Sequence, residues 1–241
     1  MLNDIFINPF VDMFSAPDFL MQVLWEGLVS GILYALIALG FVLIFRSSRI
    51  FNFAQGIMVV FAALTLVGLS EMGVPAWICV LLTLAVMFGL AVTIERVVLR
   101  PLVGQPDIIL FMATIGLAYF LEGVGDLMWG SDIKKLDVGL PQGINTVIDE
   151  VTFQMLDYGF FIDNLDIVAT VIAALLVISL MAFSQYTKEG RAMRAVADDH
   201  QAALSVGISL NFIWVLVWSV AGFVALVAGI MWGTKSGVQF S

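Results

Sequence analysis

The segment GLVSGILYALIALGFVLIFRSSRIFNFAQG, Gly27–Gly56, decides the class of this chain. Its first nineteen residues, Gly27–Phe45, carry no charge, and Arg46 and Arg49 follow at once. A helix of about 20 apolar residues crosses the roughly 30 Å hydrocarbon layer of a bilayer. In lipid each backbone N–H and C=O needs a protein partner, and uninterrupted apolar runs of this length meet that need as helices rather than as barrel strands. Gly27, Gly31 and Ala35 repeat small residues on one helix face, where another helix can approach closely.

Comparable runs lie at Val74–Ile94, Ile108–Trp129, Ile167–Phe183 and Phe212–Trp232. A shorter one, Gly56–Leu69, either crosses or partly re-enters, and hydropathy does not decide between the two. The expected class is an all-α integral membrane protein. It forms a single transmembrane domain over 1–241, with spans near 27–45, 56–69, 74–94, 108–129, 167–183 and 212–232. Composition agrees: 241 residues, 61% hydrophobic and 12% charged, against about 25% charged in a soluble domain. A net charge of −9 argues against a nucleic-acid partner. Cys79 stands alone, which excludes an intramolecular disulfide framework and a Cys-cluster zinc site. The first twenty residues lack a basic region and carry Asp4, Asp12 and Asp18, so no cleavable signal peptide is evident.

Basic residues favour the cytoplasmic side of a membrane. Arg46, Arg49, Arg96, Arg100, Lys188, Arg191 and Arg194 are seven of the ten, and all fall on alternate connections. Those connections are expected inside, with the N-terminus outside. The outer connection, 130–166, holds many of the acids. Within it Val151–Met155 and Gly159–Ile162 read either as a short hairpin or as an acidic solvated loop. Ile5–Phe14 is compatible with an amphipathic segment at the outer interface.

The chemistry is defined partly by what is missing. One His and no Cys cluster leave a metal centre without ligands. Gly233-Thr234-Lys235-Ser236 has Thr where a phosphate-binding loop needs its second Gly. Glu26, Glu95, Arg96, Glu122 and Asp126 all sit near span ends, which disfavours a proton-driven pump or a cation-coupled carrier. Glu122 and Asp126, one helical turn apart, form either a vestibule or a pair reaching the aqueous edge. Asn52 and Gln55 read either as a helix cap or as the lining of a polar path for a zwitterionic or amide-bearing solute.

The inner segment 188–209 reads as one amphipathic helix. Met193, Val196, Ala197, His200 and Leu204 form its apolar stripe, and Arg191, Arg194, Asp198, Gln201 and Ser205 its neighbouring face. Gly207 offers a left-handed stop. Asp198 and Asp199 fit anionic headgroups poorly, so docking on a partner protein is the better reading.

Gln201-Ala202-Ala203, followed three residues later by Gly207, resembles the Glu-Ala-Ala-x3-Gly loop with which permease subunits of ABC importers dock on their ATPases. Gln replaces Glu here. Gly31–Phe45 followed by Asn52–Gly56 (NFAQG) resembles the opening of the smaller permease type of the branched-chain amino acid importer family, in which many members have His at the place of Gln55. Met112–Gly130 and Gly190–Ile208 are similar to further family segments. The resemblance implies an ATP-driven importer of branched-chain amino acids or related small polar solutes such as amides, urea or carboxylates. This chain would be a non-catalytic permease subunit without a cofactor in a bacterial or archaeal inner membrane. Its implied partners are membrane lipid, a second homologous permease, two cytoplasmic ATP-binding subunits and an external solute-binding protein. Arg191, Arg194, Asp198, Asp199, Gln201, Ala202, Ala203 and Gly207 would couple to the ATPase. Tyr34, Asn52, Gln55, Gly56 and Thr114 would line the substrate path, although Tyr34 and Thr114 fit helix-packing hydrogen bonds equally well. Family members continue through further membrane segments beyond the equivalent of Ser241, so the chain reads as C-terminally shortened. The rival reading is a stand-alone channel or secondary carrier.

Overall fold

The computed structural model describes residues 8, 11, 15–48, 51–102, 104–146 and 161–240, apart from the side chains at 17, 18, 47, 107, 200 and 201. Arg49, residues 151–160 of the expected hairpin and most of Ile5–Phe14 lie outside the described residues. The described residues are helical, with two isolated antiparallel bridges and no strand. The main helices are α1 Pro17–Ser48, α2 Gln55–Glu71, α3 Ala76–Thr93, α4 Asp107–Trp129, α5 Asn164–Tyr186, α6 Lys188–Asp198, α7 His200–Ser205 and α8 Leu210–Ser236. Five stretches are long and apolar enough to cross a membrane, while α2, at 17 residues, is a shorter apolar helix.

Proline and glycine set several of these boundaries. Pro75 and Pro106 hold extended backbone immediately before α3 and α4. Gly130 takes φ 75° and turns the chain out of α4, its N–H donating to Asp126 O. α3 does not stop cleanly but widens into a π-helical turn, Ile94–Leu99, followed by a short 3-10 turn, Arg100–Leu102. The widened turn brings Arg100 onto Glu95, five residues earlier. Arg100 Nε and Nη2 both donate to Glu95 Oε1, at 3.1 and 3.0 Å, and Glu95 is fully buried. Hydropathy placed both charges at a helix end without revealing that they pair.

The chain divides into two compact units, residues 1–34 with 140–173 and residues 35–139 with 174–241. In the first, Asn145 Nδ2 donates to Asn164 Oδ1 at 2.8 Å, and Asn164 Nδ2 donates to Gly143 O at 2.9 Å. Gln22 Nε2 donates to Phe161 O at 2.8 Å. Side-chain amides thus anchor the start of α5 where a helix lacks internal partners for its first N–H groups.

The second unit is organised around α8, which packs on α2 and α3; α2 in turn packs on α4. The apolar window of α8 is 61% buried, against 22–28% for the other long helices. Its small residues explain the closeness: a Cβ on Gly229 would lie 2.7 Å from Val59 O. Trp129 of α4 likewise lies over Gly68 of α2. By contrast, Gly27 and Gly31, the small residues first noticed in the sequence, have no neighbouring atom within 4 Å of a built Cβ. At the outer end Lys134 bonds Glu71 at 2.7 Å and pairs its backbone with Val238, and the Phe240 ring occupies the space beside Gly125.

Candidate functional site: a buried amide knot and an inner elbow

The connection between α1 and α2 is short and inward-facing. Phe51 stacks obliquely on Phe41 and Phe45, with centroids 5.7 and 4.4 Å away, and Phe53 meets Phe111 edge-on at 4.8 Å. These aromatic contacts hold the polar residues between them. Asn52, Gln55 and Thr114 are all buried, with exposures of 0, 2 and 0%. Asn52 Oδ1 accepts from Ala54 N at 3.1 Å, and Asn52 Nδ2 donates to Gln55 Oε1 at 3.4 Å. Gln55 Nε2 reaches Ala221 O on α8 at 3.5 Å. The Thr114 hydroxyl lies 2.8 Å from Phe51 O and 2.9 Å from Phe111 O, and it accepts from Phe53 N at 3.3 Å.

The knot explains how amides persist at the edge of an apolar bundle. Each finds a partner, so burial does not leave it unpaired. Gly40 makes room for it, since a Cβ there would sit 2.1 Å from Gln55 Nε2. Ala54, not Asn52, is the residue that caps α2, and it does so without a side-chain hydrogen bond. Asn52 instead shapes the turn before it. Gly56 is exposed in the first turn of α2. Tyr34 belongs to the other unit and is 61% exposed on α1. The structure therefore brings Asn52, Gln55 and Thr114 together. Thr114→Val should cost about 0.6–1.7 kcal/mol, the range for hydrogen bonds between membrane helices. The expected readout is hydrogen exchange at Phe53 N that is several-fold faster, with the helices otherwise unchanged.

The elbow lies between α5 and α8. Thr187 caps α6: its hydroxyl accepts from Gly190 N at 2.9 Å and donates to Phe183 O at 2.6 Å. A Cβ on Gly190 would come within 2.3 Å of Phe183 O and 2.6 Å of Ser184 O. Arg194 Nη1 donates to Ser184 O, and Arg191 Nη1 donates to Tyr186 O at 3.3 Å. Two guanidiniums thus satisfy carbonyls that the end of α5 leaves open, on the side the helix dipole favours for cations. Met193 and Val196 face inward, and α6 packs on α8. Asp198 is exposed.

The single helix expected over 188–209 is corrected here. Asp199 adopts extended backbone, φ −151° and ψ 112°, and ends α6. Its Oδ1 accepts from Ala202 N at 3.0 Å, so it starts α7. The expected stripe breaks at this point: Ala203 is buried while Leu204 is exposed. Gly207, at φ 84°, ends α7, with Gly207 N donating to Leu204 O at 3.0 Å and Ile208 N to Ala203 O at 3.0 Å. Asp199, Gln201, Ala202, Ala203 and Gly207 are therefore parts of one small capped element; Ala202 is exposed on it. The roles of Gly190, Gly40 and the Glu95–Arg100 pair are absent from the sequence reading.

The profile of the family described as branched-chain amino acid transport system / permease component matches residues 23–241. The chain belongs to that family. Among the relatives of this permease is the high-affinity branched-chain amino acid transport system permease protein BraD of Pseudomonas aeruginosa. It is 30% identical over 227 residues, covering 90% of this chain and 72% of the relative. The corresponding permease protein LivH of Escherichia coli is 28% identical over 231 residues, with 91% and 72% covered. A probable LivH of the archaeon Methanocaldococcus jannaschii is 30% identical over 217 residues, with 86% and 64% covered. No solved structure matches. The chain is a multi-pass inner-membrane transport permease of the ABC importer type, a class that works with ATPase and solute-binding partners.

Proposed function

We propose that this permease serves an ATP-driven importer of branched-chain amino acids or closely related small polar solutes. It acts without catalysis of its own, beside a second homologous permease, two cytoplasmic ATP-binding subunits and an external solute-binding protein. The N-terminus faces outward and the elbow faces the cytoplasm. The observation that carries the reading is the elbow itself: a short capped helix, α7, joined through α6 to the ends of two membrane helices. Arg191, Arg194, Asp198, Asp199, Gln201, Ala202, Ala203 and Gly207 form the coupling element. A partner that binds the elbow better in one ATPase state than in the other shifts the helices by that difference in affinity. Asn52, Gln55 and Thr114 hold the α1–α2 connection beside the solute path, with Gly56 and Tyr34 as further path positions.

The test is uptake of labelled leucine into proteoliposomes containing the permease pair, the ATPases and the binding protein. Uptake should require ATP and all components. Gly207→Pro should abolish it while the chain still inserts, because proline holds φ near −65° where Gly207 sits at 84°. Uptake by this chain alone without ATP would overturn the proposal in favour of a channel or carrier.

A further inference from the structure

A cavity of about 420 Å³ opens between the inner ends of α1 and α5 beside α6. Its wall is aliphatic, with Leu39, Val42 and Leu43 on one side and Val177, Leu180 and Met181 on the other. The polar groups collect at one end. Arg46, Ser184, Gln185 and Arg194 line that end, and the adjoining opening is bounded by Arg46, Arg194 and Asp198. Leu39 to Arg46 spans seven helical steps, so the apolar part runs about 10 Å along the helix before it meets the charges. Two guanidiniums and one carboxylate leave the mouth with an excess of one positive charge.

This arrangement selects among occupants. A transported zwitterion would leave six aliphatic side chains without a partner and gain nothing from the depth of the slot. An apolar helix from another protein would fill the slot but would bury Arg46 and Arg194 against a single Asp198, a costly exchange. A lipid has both parts in the required order: an acyl chain for the slot and, if anionic, a phosphate for the mouth. Basic pockets between membrane helices at the cytoplasmic face are known to suit anionic headgroups. We infer that the slot between α1 and α5 binds an anionic phospholipid, with one acyl chain along Leu39–Leu43 and Val177–Met181 and its phosphate at Arg46 and Arg194. Arg194 keeps its bond to Ser184 O, so the site ties the lipid to the root of the elbow.

The probe is phosphatidylglycerol with a photoreactive group in its acyl chain, compared with the matching phosphatidylcholine in vesicles that contain the assembled transporter. Crosslinks should concentrate in residues 39–46 and 177–185, with phosphatidylglycerol labelling at least fivefold above phosphatidylcholine. Arg46→Gln should lower the phosphatidylglycerol yield about fivefold, the effect of one basic residue near an anionic surface. Val42→Trp, which fills the slot from an exposed position, should remove the acyl-chain crosslinks even if the headgroup still visits the mouth. Equal labelling by the two lipids, or no change in either variant, would overturn the assignment. Displacement of the label by millimolar inorganic phosphate would assign the mouth to a free anion and overturn it too, as would cysteine crosslinking from position 42 to another subunit.

Discussion

Gly190→Val should reduce ATP-driven uptake at least tenfold while leaving the permease in the membrane. The side chain has nowhere to go: its first carbon would lie 2.3 Å from Phe183 O and 2.6 Å from Ser184 O. Both obstacles are backbone, so relief requires α6 to swing away from the end of α5. That movement would also pull Thr187 from Gly190 N and Arg194 from Ser184 O, the bonds that fix the corner. Overpacking of this kind costs about 1–3 kcal/mol. Coupling between sites is itself about 1–3 kcal/mol, so strain at the corner consumes the energy that would otherwise reach the membrane helices. Gly190→Ala should follow the same direction with a smaller loss. The measurement is the uptake rate in the reconstituted transporter, with membrane insertion followed separately; undiminished uptake in the valine variant would remove the elbow from the coupling route.

Gly229→Leu should have the largest effect on stability. α8 and α2 touch at this point through backbone, with Val59 O 2.7 Å and the Ala63 Cβ 3.2 Å from where a Cβ would stand. A leucine must push the helices apart along the most buried helix of the unit, loosening contacts at Met58, Ala62 and Leu66 as well. Membrane helices gain little from a hydrophobic effect between them and depend on close van der Waals packing, which makes such a separation costly. The expected loss is about 3 kcal/mol, read as a fall of several degrees in the thermal midpoint in detergent. Gly229→Ala should fall between the leucine variant and the parent. A leucine variant as stable as the parent would mean that the α2–α8 contact is not closely packed.

The membrane class was legible because it rests on runs of uncharged residues, which require no knowledge of neighbours. Prolines 75 and 106 also sit where the sequence begins new runs. The inner elbow was half legible. Gly207 announces a helix stop by itself, but the break at Asp199 depends on whether an Asp side chain turns back onto the next N–H, and periodicity reads straight through it. Close approaches were least legible. Gly27 and Gly31 match a familiar spacing yet face open space, whereas Gly229 and Gly190 meet backbone from elements far along the chain or around a corner. A small residue reveals that contact is possible, and only the fold reveals with what. Asn52, Gln55 and Thr114 illustrate the same limit, since Thr114 lies more than fifty positions from the turn it secures.

The π-helical turn at Ile94–Leu99 has a consequence for how the third long helix tolerates change in length. A turn closed by five-residue hydrogen bonds accommodates one residue more than regular winding does. Deleting a single position there would restore ordinary pitch and rotate everything beyond it by about 100°. Glu95 and Arg100 would then face different sides of the cylinder, stranding a carboxylate that is now wholly enclosed. The apparently surplus residue acts as a phase setter for the stretch leading to Pro106, so an alignment gap placed in this turn carries a structural meaning that gaps in the outer connection do not.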